Sequence, residues 1–118
     1  MQINYSNFKQ GDVLIVDVRF SNQDGSKIRP VLVISSNELS ELGEDIITLK
    51  ITSQLSARPF NVIITNADLV MGELRNDSAI KGDFPFVITK DRVIKKIGAV
   101  NPKVISKIKE KLKLVFGI

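Results

Sequence analysis

The 118-residue chain contains no cysteine, no histidine and no tryptophan. Without cysteine there are no disulfides, thiolate nucleophiles or zinc–thiolate sites. The missing histidine is more restrictive, because it is the commonest general acid or base and the commonest metal ligand. Any catalysis must therefore run on Arg, Lys, Asp, Glu, Ser, Thr or Tyr. No stretch approaches the roughly 18 uninterrupted apolar residues that span a bilayer. The polar start MQINYSNFKQ lacks the basic and apolar regions of a signal peptide. A cytoplasmic protein is expected.

What is present is ordinary for a globular chain: 43% apolar and 25% charged residues, enough for one domain over residues 1–118 with a modest core. The net charge of +4 conceals an asymmetry. Residues 90 to 118 carry nine Lys or Arg against two acids, and residues 1 to 89 carry eight against eleven. A basic surplus attracts nucleic acid through phosphate neutralisation, although a lysine-rich helix face is also an ordinary solvated surface.

Along the chain, Asp12 to Arg19 is β-branched and reads as a first strand, followed by turn residues Ser21 to Ser26 and a second strand at Pro30 to Ser35. A polar stretch from Ser36 to Glu44 leads to strands at Asp45–Ile51 and Phe60–Thr65. Residues Asn66 to Asn76 read as irregular or turn-like around Gly72. Further strands are expected at Ser78–Lys81, Phe84–Thr89 and Ile94–Val100, with a short turn or helix at Lys90 to Val93. Pro85 argues for an edge or a bulge. Asn101-Pro102 supplies an N-cap and a proline at the first helical position. Val104, Ile105, Ile108, Leu112 and Val115 then recur at helical spacing. Short strands with one terminal helix predict a mainly β fold, a small curled sheet or barrel with the helix packed against it.

Three blocks occur in a specific order: Gly11 to Asp17, Lys27-Ile-Arg-Pro-Val-Leu-Val-Ile-Ser35, and Ile51-Thr-Ser-Gln54. A fourth, Asp77 to Asp83 with Arg92 to Gly98 beyond it, follows. Together they resemble the PemK/MazF toxin endoribonucleases over nearly the whole chain. The resemblance implies an SH3-like β-barrel with a C-terminal helix and a homodimer with its RNA groove across the interface. It also implies a cognate antitoxin whose acidic segment competes with RNA, and DNA binding in complex with that antitoxin.

The resemblance further maps a catalytic pair onto Arg29, directly before proline, and Thr52. Attack of a ribose 2′-hydroxyl on the adjacent phosphate builds negative charge that a guanidinium can meet with two donors. The implied products carry 2′,3′-cyclic phosphate and 5′-hydroxyl ends, with no metal and no cofactor. Lys27 and the loop containing Gln23, Asp24 and Gly25 would flank the groove. Ser53 and Gln54 offer hydrogen bonds to an unstacked single strand, and Asp77, Ser78 and Lys81 are further RNA-binding candidates. The general base is left unassigned, because arginine stays protonated at neutral pH.

Plainer readings exist for each residue. Arg29 could be a surface arginine beside a strand, and Thr52, Ser53 and Gln54 could only cap a strand end. The lysines of the last helix read as a solvated face. Asp12 and Asp17 lie five apart on one strand and point to opposite faces, which argues against a shared metal. Competing functions are a gyrase-poisoning toxin of the same fold, an inactive RNA-binding relative and a small structural adaptor. The loop Gly25-Ser26-Lys27-Ile28 places its glycine farther from the arginine than many relatives do.

Overall fold

A computed structural model describes residues 8–18 and 27–118. Its seven strands are β1 (Asp12–Val18), β2 (Lys27–Val33), β3 (Asp45–Thr52), β4 (Asn61–Ile64), β5 (Leu69–Gly72), β6 (Ser78–Thr89) and β7 (Val93–Val100). Two α-helices, α1 (Asn37–Leu42) and α2 (Pro102–Phe116), complete the regular structure, with short 3-10 turns at Asn66–Asp68 and Lys90–Arg92. The strands form one antiparallel sheet in the order β4-β6-β3-β2-β1-β7-β5. It curls into a half-barrel of the mainly β class expected.

The middle strands are apolar on both faces because both faces are covered. Val13 and Leu32 join Leu49, Ile51, Ile64 and Ile80 in a core beneath Val104 and Ile108 of α2. Their strand neighbours Leu14, Val16, Val31 and Val33 join Ile46, Ile88 and Val93 in a second core. Continuous Val/Ile/Leu runs therefore replace clean alternation. The β1–β7 ladder shifts register between Val13 and Leu14 and again between Ile15 and Val16, and such bulges bend a sheet. At the margin, Gly72 pairs with Gly98. Gly72 has φ +77°, and a Cβ there would lie 2.0 Å from the Ile97 carbonyl oxygen, so the crossing of β5 over β7 requires glycine.

Several sequence expectations change. The second strand begins at Lys27, so Arg29 lies inside β2 opposite Val16. The supposedly irregular Asn66–Asn76 contains a 3-10 turn and β5. Thr65 caps that turn by accepting from the Ala67 amide while the Asp68 carboxylate accepts from the Thr65 amide. The two expected strands Ser78–Lys81 and Phe84–Thr89 are one continuous β6. Pro85 nevertheless sits where both suspected features occur. The β3–β6 ladder shifts between Leu49 and Ile51, and β4 pairs only with Ser78–Lys81. The polar Ser36–Glu44 stretch contains α1, whose Leu39 amide donates to the Ser36 hydroxyl. Arg19 and the turn Ser21–Ser26 lie outside the described residues.

The terminal helix follows its expected signals. The Asn101 side chain accepts from the Val104 amide at 3.0 Å, and Gly117 ends the helix at φ +68°. Helix α2 packs on β4 and β6. Ile108 is 2% exposed and Leu114 is 65% exposed. Ile108→Ala should therefore cost about 2–5 kcal/mol, and Leu114→Ala should cost less than about 0.5 kcal/mol. Urea unfolding of both variants checks this, and similar losses for the two would contradict the packing of α2.

Candidate RNA-binding groove

Where the start of β2 meets the end of β3 the sheet holds a groove of about 570 Å³ whose walls include Arg29, Lys50, Thr52, Ser53 and Gln54. Val31 faces Lys50 across the β2–β3 ladder. Side chains alternate with a period of two, so Arg29 lies on the Val31 face and Thr52 on the Lys50 face. The register thus brings Arg29, Lys50 and Thr52 onto one surface. Arg29 is half-buried, and its Nε is buried without a hydrogen-bond partner among the described residues. A buried guanidinium nitrogen of this kind is costly unless an acceptor meets it.

Thr52 is the last residue of β3, and its Oγ1 accepts from the Gln54 amide at 3.1 Å. The capping reading of Thr52 therefore holds. A hydroxyl that accepts in this way still has its own proton to donate, so the cap orients Thr52 as a donor at the groove.

The remaining wall was not anticipated from sequence. Leu74, Arg75 and Asn76, between β5 and β6, line the groove. Their loop is held by Asn66, whose Oδ1 accepts from the Leu74 amide at 2.6 Å and whose Nδ2 donates to the Leu74 carbonyl at 3.3 Å. Lys50 was also missed. Burial first, then the positive charges of Lys81 and Arg29, hold its ammonium below the ordinary lysine range. A lysine alternating with apolar residues in a strand looks like an outward-facing residue, and only pairing with β2 reveals its neighbours.

Among the other candidates, Ser78 lines the groove, but its hydroxyl donates to the Asn76 carbonyl at 2.9 Å. Lys81 lines an adjoining cavity together with Lys50, Thr52, Gln54 and Ser56. Lys27 is exposed on β2, two residues from Arg29. Asp77 is exposed just before β6. Neither lines these two cavities. Gln23, Asp24 and Gly25 lie outside the described residues. Asp12 is committed elsewhere: one carboxylate oxygen is 3.1 Å from the Lys96 ammonium, and the other accepts from the Lys9 amide at 2.8 Å.

A family model described as the PemK-like, MazF-like toxin of type II toxin-antitoxin systems matches residues 9–116. The chain belongs to that family. No curated protein matches it in sequence. Among solved structures, an endoribonuclease from a mycobacterial species is similar with TM-score 0.78 and 19% identity, covering 100% of this chain and 97% of that one. A mycobacterial endoribonuclease in complex with its cognate antitoxin gives 0.74 and 21%, over 98% and 97% of the two chains. The MazE-MazF structure (Form-III) from Deinococcus radiodurans gives 0.74 and 20%, over 93% and 96%. At these identities the likeness establishes the fold. No helix among the described residues is long and apolar enough to cross a membrane.

The β3–β4 loop beside the groove is fastened by an ion pair between Arg58 and Asp83. Burial pushes the Asp83 carboxyl up, but the hydrogen bond and charge of Arg58, with a backbone hydrogen bond and the charge of Lys81, together outweigh it, so it titrates below its ordinary value of 3.8. A depressed carboxylate stabilises the fold above the unfolded value, and that stabilisation is lost as pH falls through the folded one. Arg58→Met should raise the Asp83 pKa in a carbon-13 NMR titration and flatten the acid limb of stability. An unmoved titration would detach Asp83 from Arg58.

Proposed function

We propose that this protein is the toxin of a type II toxin-antitoxin system and a metal-independent, sequence-specific endoribonuclease. Its substrate is single-stranded RNA, including messenger RNA, so its action stops translation and growth. The observation that carries this reading is the register that brings Arg29 and Thr52 to one groove, in a chain of the PemK-like, MazF-like family. In this reading the toxin works in the cytoplasm as a homodimer, and a cognate antitoxin occupies the groove to silence it. The complexes formed by similar structures support that partner.

The chemistry follows from the donors available. Attack of the ribose 2′-oxygen on the adjacent phosphorus forms a P–O bond as the bond to the 5′-oxygen breaks. The 2′-hydroxyl gives up one proton and the departing 5′-oxygen takes up one, with no net change, so the products are a 2′,3′-cyclic phosphate and a 5′-hydroxyl. Charge gathers on the non-bridging oxygens in between. Arg29, with a buried Nε in need of an acceptor, meets that charge through a guanidinium that is always protonated. Thr52, oriented by the Gln54 amide, donates its proton to the same phosphate. Ser53 and Gln54 extend from the strand end toward the bases and phosphates of the strand.

Removing a pre-organised donor of this kind lowers the rate by about 10² to 10³. Purified protein incubated with a long single-stranded RNA in excess EDTA should make discrete cuts with 5′-hydroxyl ends, and Arg29→Ala should cut about 10² to 10³ times more slowly. RNA that survives across many sequence contexts, together with inhibited gyrase supercoiling, would replace the nuclease by a gyrase poison.

A further inference from the structure

The groove holds more positive charge than one reacting phosphate uses. Arg29 is on β2, Lys50 on β3 and Lys81 on β6, three consecutive strands of the sheet. Ile51 pairs with Ile80 beside a register shift, and both Lys50 and Lys81 reach the Phe84 ring and line one cavity, which sets them on the same face. Neighbouring strands lie about 4.8 Å apart. Lys50 and Lys81 are therefore neighbours on adjacent strands, and Arg29 lies two residues along β2 from Val31, the partner of Lys50, which sets it level with Thr52.

One aromatic ring holds the last two together. The Lys50 ammonium lies 5.0 Å from the Phe84 ring centroid and the Lys81 ammonium 5.7 Å from it. Phe84 is itself set edge-on to Phe86, with centroids 6.0 Å apart and planes at 87°. A ring attracts each cation through its quadrupole, although the cations repel each other, and an anion between them would remove the conflict. Beside them lies a cavity of about 110 Å³, whose walls Lys50, Thr52 and Gln54 share with the larger groove. Its far wall, Ser56, is fixed by the Asn61 amide nitrogen, which donates to the Ser56 hydroxyl at 3.1 Å. The nearby carboxylate Asp83 pairs with Arg58 and also feels the charge of Lys81.

We propose that Lys50 and Lys81, gathered over Phe84, form a second phosphate seat that takes the RNA backbone phosphate neighbouring the one at Arg29 and Thr52. The strand is then gripped at two consecutive phosphates and crosses β2, β3 and β6 in one direction, which fixes which linkage meets Arg29. Burial first, and then the charges of Lys81 and Arg29, lower the Lys50 pKa, as cations gathered on one face do. The inference rests on RNA as the ligand of the groove, the reading proposed above.

The test is fluorescence-anisotropy titration of the full chain with a short single-stranded RNA made uncleavable by 2′-deoxy substitution. The wild type is compared with Lys50→Met/Lys81→Met, whose apolar stems still cover Phe84. Affinity should fall about tenfold or more, and the slope of log K against log salt should become shallower by about 0.7 for each phosphate no longer neutralised. Lys50→Arg should retain most of the wild-type affinity. Equal affinity and an unchanged slope in the double variant would overturn the seat, even if the wild type cuts RNA. A wild type that binds with the expected difference but cuts no RNA would keep the seat and remove the nuclease. A wild type that neither binds nor cuts would remove both. Should the double variant fail to fold, neutral methylphosphonate linkages walked along the RNA give the answer with wild-type protein. One non-scissile position should weaken binding about tenfold, and uniform tolerance would overturn the proposal.

Discussion

Across the β2–β3 ladder, Leu32 faces Leu49 and Val31 faces Lys50. A slip of one residue would turn every side chain of a strand to the opposite face. Here both faces carry a core, so a slip would misplace Leu32 from beneath α2 and Val31 from the opposite cluster together. The ladder is therefore held by apolar packing on two sides. The arrangement of Arg29, Lys50 and Thr52 follows from that packing, since each occupies a position on strands whose register the cores have already set.

The legible parts of the sequence were those with strong local chemistry. Asn101-Pro102 and the following apolar spacing marked α2 because the cap and the periodicity act within one segment. The β-branched runs marked β1, β3 and β7 for a similar reason. Helix α1 escaped notice because six residues offer under two turns of periodicity, and position 39 is Leu where a capping box would carry Glu or Gln. Strand β5 was hidden because Val70 and Met71 are exposed and its pairing depends on the remote Gly98. Pro85 split β6 in the sequence reading, although proline is tolerated where one margin of a strand has no neighbour.

The groove divides in the same way. Arg29 and Thr52 were found because ordered blocks resemble a known family, and neither is distinctive alone. Lys50, Arg75 and Asn76 left no local signal. Lys50 owes its environment to two other strands, and the Arg75 loop is positioned by a hydrogen-bonding pair eight residues apart, Asn66 and Leu74. The overall charge count was also a poor guide. The surplus lies in residues 90 to 118, whose helix lysines read as a solvated face, whereas the groove's Arg29 and Lys50 and the adjoining Lys81 lie before that stretch. Net charge sums the surface, and a site depends on which few charges share a face.

The two-sided burial of β2 also bears on motion. Segments that open locally have few buried contacts, and those buried between two cores open only when the whole molecule does. The Val31–Val33 part of β2 belongs to the second kind, whereas Arg29 and Pro30, at the groove, are half-buried. The backbone amides of that buried part should exchange with solvent through global unfolding, while the groove end of the strand opens more readily. Heat would then remove both cores in a single transition, whereas the groove, at the less buried end of the same ladder, would loosen before the cores open.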